Sequence, residues 1–154
     1  MIGLLSEQAQ IRTPDNINMC IECLDPGDTV LSAVVASTTI PNVQIKESKI
    51  VGITKMLCDH FNIINNTLIA NDHQLVLVNR EWYPIKELLS GSRLPQNISS
   101  NMVAQIIRNQ KDEIVNDDII ELDRFDKQVD NVMYTLILDG PKTFFADGFI
   151  VKGE

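Results

Sequence analysis

The residues able to do covalent or acid–base chemistry are few. The chain holds two histidines, His60 and His73, and three cysteines, Cys20, Cys23 and Cys58. His73 opens the apolar run "HQLVLV", where an imidazole can act as a general acid or can simply pack and hydrogen-bond. Packing is the plainer role. Ser6 offers a hydroxyl near the N-terminus, and a serine in such a place is ordinarily solvated. Cys20-x-x-Cys23, with Cys58 and His60, supplies the residue types of a structural zinc site. Cys58-Asp59-His60 nevertheless lacks the spacer of a zinc knuckle. Pro26-Gly27 follows Cys23 where a redox Cys-x-x-Cys would open a helix. The expectation is therefore no metal and no cofactor.

Carboxylates are plentiful. Asp112, Glu113, Asp117, Asp118, Glu121, Asp123, Asp126 and Asp130 crowd one stretch. A calcium loop needs oxygen ligands spaced around a glycine, and none lies between Gly91 and Gly140. The segment reads as a solvated face or as a docking surface for a basic partner, with Asp112, Glu113, Asp117, Asp118 and Glu121 as its interaction residues. The net charge of -8, without a Lys/Arg cluster, argues against nucleic-acid and anionic-membrane partners. Apolar stretches such as "SAVVAS" (32–37) fall far short of the ~20 residues that span a bilayer. The N-terminus lacks the basic start and apolar run of a signal peptide, and an odd cysteine count does not form a disulfide framework. A cytoplasmic location is expected.

These side chains must be carried on strands. Apolar runs recur over 29–36, 43–57, 62–70, 74–79, 118–125, 131–138, 142–146 and 149–153, several alternating with polar residues. Asp25-Pro26-Gly27-Asp28, Asp139-Gly140-Pro141 and Asp147-Gly148 punctuate them as turns. Asp147-Gly148, between "TFFA" and "FIV", predicts a tight hairpin because both central residues tolerate positive φ. Met102, Val103, Ile106 and Ile107 fall on one helical face behind the N-cap candidates Ser99 and Ser100, which predicts a short helix around 99–110. "PIKELL" (84–89) is long enough for one or two turns only. The expectation is all-β: one domain over 1–154, built of short antiparallel strands in a convoluted, horseshoe-like sheet.

Three segments in order carry a family resemblance: "CIECLDPGDTVLS" (20–32), "ANDHQLVLVNREWYPIKELLSGSRL" (70–94) and "YTLILDGPKTFFADGFIVKG" (134–153). Together they resemble the Hint (Hedgehog/intein) domain over nearly the whole chain. The resemblance implies that the last hairpin returns the C-terminus beside the N-terminus, with Tyr134, Phe144, Phe145 and Phe149 packed in the core. It also implies four functional positions: a first-residue Cys or Ser nucleophile, a Thr-x-x-His, a penultimate His and a cyclising Asn. Counting back from Ile11 puts the nucleophile near Leu4, with Ser6 about two residues out of register and few residues ahead of it. Thr-x-x-His reads Ala70-Asn71-Asp72-His73, and His-Asn reads Lys152-Gly153. The resemblance thus points to a catalytically degenerate member: a non-enzymatic structural or interaction module. Its expected setting is a larger, multi-copy protein assembly such as a phage particle, which would place it in the virion. Two other classes stand beside it: a residual self-cleaving protein using Ser6 or a Cys with His73, and a small metal-binding protein.

Overall fold

The computed structural model describes residues 2–15, 17–35, 43–79, 81–89, 103–107 and 114–154. Three short strands come first: β1 (Leu5–Ser6), β2 (Gln10–Arg12) and β3 (Asn18–Cys20), followed by a 3-10 turn over Ile21–Cys23. Then come β4 (Thr29–Val35), the long β5 (Val43–Ile64), β6 (Leu68–Ala70), β7 (Leu75–Val78) and β8 (Glu81–Pro84). Helix α1 (Ile85–Leu89) is a single turn or so, as its sequence allows. β9 (Val103–Ile107), β10 (Ile114–Asp118), β11 (Leu122–Leu138), β12 (Thr143–Ala146) and β13 (Phe149–Lys152) complete the chain. The expected all-β antiparallel fold is the one observed.

The described strands form two sheets. One runs β11-β1-β6-β5-β4, with β5 and β11 also paired, and the other runs β10-β9-β7-β13-β12-β2-β3 with β8 beside β7. β5 joins the parts of the first sheet. Its first half pairs with β4, from Thr29↔Lys49 to Val35↔Val43, and its second half pairs with β11 and β6. The β5–β11 ladder is irregular between Asp126↔His60 and Asn131↔Cys58, where β11 holds four residues opposite the single Asp59.

Local chemistry accounts for the turns. Asp147 and Gly148 both have positive φ, 50° and 85°, as the expected hairpin requires. Asp147 also ties the hairpin to the N-terminal region. Its Oδ1 accepts the Gln10 N–H at 3.1 Å, and its own N–H donates to the Gln10 carbonyl at 2.8 Å. A second hairpin lies inside the run read as one strand over 62–70. Asn65 and Asn66 take φ of 52° and 55° and turn the chain from β5 into β6. Asparagine reaches this conformation more readily than other non-glycine residues, which is why the run breaks there. Residues 118–125 are likewise two strand ends, with Ile119–Glu121 between β10 and β11.

The helix expected around 99–110 is corrected. Residues 103–107 form β9, paired with β10 and, through Val78↔Ala104 and Phe149↔Ile106, with β7 and β13. The β-branched Val103, Ile106 and Ile107 suit a pleated surface, and distant partner strands outweigh the local helical spacing. The flanking residues of that predicted helix lie outside the described residues.

The core draws on both ends of the sequence. Leu5, Ile11, Leu68, Leu122, Phe144 and Val151 belong to one buried cluster. Phe144 and Phe145 are each 0% exposed yet enter different clusters, Phe145 joining Leu31, Leu77 and Ile150. Strand alternation sends neighbouring side chains to opposite faces, so "TFFA" contributes to both layers of packing. Full burial of each ring stabilises by about 1.5–3 kcal/mol. Tyr134 and Phe149 are buried as well, as the resemblance implies.

Candidate functional site

The N-terminal strands lie beside the C-terminal ones. β1 pairs with β6 and β11 at Leu5↔Ala70 and Leu5↔Tyr134. β2 pairs with β12 at Ile11↔Ala146, and β13 lies between β12 and β7. Residues 5–12 and 145–152 are therefore neighbours, as the terminal hairpin predicts.

Leu4 lies at the N-terminal side of this junction, buried to 3% exposure. Its N–H donates to Asn71 Oδ1 at 2.9 Å, and its carbonyl accepts the Asn71 N–H at 2.9 Å. Asn71 Nδ2 also donates to the Ile2 carbonyl at 3.0 Å. Gly3 is needed here: a Cβ would sit 2.6 Å from Gln74 Cα. Ala70, at the expected hydroxyl position, is fully buried opposite Leu5. His73 lines a cavity of about 340 Å³ with Leu4, Asn71, Cys58 and His60. Burial, and then the Lys86 ammonium, push the His73 imidazole below its ordinary value, so it is neutral at pH 7.

The C-terminal side is held by hydrogen bonds to its main chain. Gln74 Nε2 donates to the Lys152 carbonyl at 2.9 Å. The Lys152 ammonium sits 5.5 Å from the centre of the Trp82 ring. Gly153 N–H donates to Lys142 and Glu154 N–H to Leu136, while the Glu154 carbonyl accepts from Leu138. A Cβ at Gly153 would meet the Leu136 carbonyl oxygen at 2.6 Å and a Phe144 ring carbon at 3.0 Å. The backbone of the last residues thus runs too close to β11 for a side chain at this position.

Ser6 does not join this site. It lines a different cavity, with Phe61, Ile69 and Met133, and its Oγ accepts the Gln8 N–H at 3.3 Å. Cys20 Sγ accepts from Gln10 Nε2 at 3.1 Å. The Cys23 thiol is exposed and is pushed up by local desolvation and then by Cys20 and Glu22, the wrong direction for a nucleophile. Of the acidic residues singled out, Asp118 and Glu121 are exposed and Asp117 is half-buried. Asp112 and Glu113 lie outside the described residues.

Two features escaped sequence reasoning. Asn65 clamps the acidic loop: its Oδ1 accepts the Ile120 and Glu121 N–H groups at 2.8 and 3.0 Å, and its Nδ2 donates to the Asp118 carbonyl at 2.9 Å. Its place in an Asn-Asn pair between apolar runs is the one signal that marks it. The second is a polar cluster around His60. His60 Nε2 accepts the Asp72 N–H at 3.1 Å, and Nδ1 lies 3.0 Å from Asp59 Oδ1 and 3.8 Å from Cys58 Sγ. Asp72 accepts from Asn62 Nδ2 at 2.8 Å and from Arg124 Nη2 at 3.1 Å. Burial works to raise the Asp72 carboxyl, but the Arg124 and Asn62 hydrogen bonds and the nearby His60 outweigh it and hold it below the usual range.

No protein-family model matches the sequence, and no curated protein matches it either. Solved structures do. An Ssp DnaB mini-intein variant superposes with a TM-score of 0.72 at 16% identity, covering 99% of this chain and 95% of that one. A DnaB intein from Synechocystis sp. gives 0.71 at 18% identity, with 99% of each chain covered. A bacterial intein-like domain from Clostridium thermocellum gives 0.66 at 12% identity, again over 99% of each chain. The likeness extends over nearly the full length of both partners, and with the pairing of β1 and β2 to the C-terminal strands β11 and β12 it establishes that this chain has the intein-like Hint fold.

Proposed function

We propose that this chain keeps the Hint scaffold without its splicing chemistry and serves as a structural or docking module in a larger assembly, of which a phage particle is the expected setting. One observation carries the reading: the cyclising position is Gly153, where a Cβ would stand 2.6 Å from the Leu136 carbonyl oxygen. An Asn side chain must occupy that position to attack its own carbonyl, and β11 fills the space it would need. The other end agrees. Leu4 supplies neither thiol nor hydroxyl, and Ala70 supplies no hydroxyl to a scissile carbonyl.

The docking surface in this reading is the acidic end of β10 and the turn after it, where Asp118 and Glu121 are exposed and Asp117 is half-buried. Asn65 holds its backbone in one shape, and exposed carboxylates steer a basic partner. The test is to isolate assemblies from the source by density gradient and follow the chain by mass spectrometry. The intact chain should travel with the particles, and the variant carrying Asp117→Asn, Asp118→Asn and Glu121→Gln should be depleted from them, while His73→Ala should not be. A chain found only free of particles, or lost from them through His73→Ala and not through the charge changes, overturns the reading.

Self-cleavage by a cysteine with His73 is the second reading. The observation in its favour is that Cys58 and a neutral His73 line the same cavity as Leu4. It requires a thiol-dependent fragment of the full chain.

A further inference from the structure

We propose that Cys58, Asp59 and His60 form a binding site for one thiophilic divalent cation, zinc being the fitting ion, with the open coordination position turned to the cavity beside Leu4 and His73. The Sγ, the Nδ1 and one carboxylate oxygen of these three residues all lie within 4.8 Å of one another. The Sγ···Nδ1 separation is 3.8 Å and the Nδ1···Oδ1 separation is 3.0 Å. Tetrahedral zinc, with bonds of about 2.3 Å to sulfur and about 2.0–2.2 Å to nitrogen and oxygen, places S···N about 3.6 Å and N···O about 3.4 Å apart. The Sγ···Nδ1 and Nδ1···Oδ1 separations need shifts of a few tenths of an ångström, and the sulfur-to-carboxylate pair, within 4.8 Å against the about 3.6 Å that zinc sets, closes by a swing of the exposed Asp59 side chain.

Consecutive residues on a regular strand cannot converge in this way, because alternation would send Asp59 to the opposite face. The irregular pairing allows it. β11 carries four residues, 127–130, opposite Asp59, so Asp59 has no regular cross-strand partner, and its exposed side chain reaches back to the His60 ring.

The surroundings support a metal as well as the ligand atoms do. When Nδ1 binds a cation, the ring proton moves to Nε2, and Asp72 Oδ2 lies 3.5 Å from that atom. Asp72 is itself held by Asn62 and Arg124, which gives the carboxylate–histidine pairing common behind zinc ligands. In that state the Asp72 N–H gives up its acceptor, Nε2, a loss that moderates the affinity. A thiolate, a carboxylate and a neutral imidazole bring two negative charges to a doubly charged ion. A set containing sulfur and nitrogen selects zinc over magnesium or calcium. The cavity of about 340 Å³ that all three residues line has room for a fourth, exogenous ligand.

The experiment uses the full chain, stripped with a chelator and kept reduced. It is titrated with zinc chloride by calorimetry and with cobalt(II) by visible absorption. One ion per chain is expected, with tetrahedral cobalt bands and a thiolate-to-cobalt charge-transfer band, and zinc should raise the melting temperature by mass action. Cys58→Ser should abolish the charge-transfer band, and His60→Ala should weaken binding at least tenfold. Because Cys58 is buried, Asp59→Asn serves as a variant that keeps the fold, and it too should weaken binding about tenfold. The double variant Cys20→Ser/Cys23→Ser should bind as the parent does. Absence of stoichiometric binding, binding unaffected by Asp59→Asn, or loss of binding in the Cys20/Cys23 variant would each overturn the site.

Discussion

Leu4 and Asn71 hold each other twice: the Leu4 N–H donates to Asn71 Oδ1 at 2.9 Å, and the Asn71 N–H donates to the Leu4 carbonyl at 2.9 Å. Both main-chain groups of Leu4, the residue read as standing in the nucleophile's place, are therefore satisfied, and its side chain is buried. The position read as the nucleophile's is thus a buried leucine just ahead of β1, at the edge of the cavity that His73 also lines.

Asn71→Ala removes the acceptor for Leu4 and the donor to Ile2 together. Leaving a buried N–H unpaired costs about 1–3 kcal/mol, so the urea midpoint should fall accordingly. Hydrogen exchange at the Leu4 amide should rise, and the first residues should become sensitive to protease. An unchanged midpoint with full protection at Leu4 would contradict the role given to Asn71.

Gly153→Ala drives a methyl into the Leu136 carbonyl oxygen, a backbone atom that cannot rotate away. The expected loss is about 1–3 kcal/mol, with exchange protection falling at Leu138 and Glu154, whose amides close the same ladder. Equal stability of this variant and the parent would show that the C-terminus has room for a side chain, and would reopen the cyclising position.

Asp147 yields a pH prediction. Burial raises its carboxyl above the ordinary value, opposed by the hydrogen bond from Gln10. The folded state thus holds this proton more tightly than the unfolded chain does. Its contribution to stability is present at pH below the unfolded value and is lost as pH rises through the raised folded value. Asp147→Asn keeps an oxygen for the Gln10 N–H and tolerates the φ of 50°. The variant should therefore melt higher than the parent at pH 7, with the difference shrinking in acid. A variant that melts lower at pH 7 would mean that the charge strengthens the Gln10 bond by more than burial opposes it.

How much the sequence reveals depends on how local the determinant is. The Asp147-Gly148 hairpin is legible because its two turn residues suffice to specify it. The adjacency of residues 5–12 and 145–152 is legible because the terminal hairpin returns the chain beside the first strands once the order of the motifs is seen. The strand over 103–107 is not, because its partners Val78, Phe149 and Val115 lie far off or across residues that look helical by spacing alone. The Asn65-Asn66 turn is a weaker signal than Asn-Gly, so β5 and β6 read as one run. The Cys58–Asp59–His60 set fails a spacing rule written for knuckles, and the nearness of its atoms, beside an irregular stretch of the pairing with β11, shows only in three dimensions.

The central claim is that the Hint scaffold is present and its splicing chemistry is gone. Intact mass spectrometry of the freshly expressed full chain, followed over days with and without dithiothreitol, tests it most directly. The predicted result is one species with the mass of residues 1–154, or of 2–154 after loss of Met1, unchanged by thiol and the same in Cys58→Ser. A thiol-dependent fragment cut next to Leu4, absent in Cys58→Ser or in His73→Ala, would contradict the account and establish self-cleavage in its place.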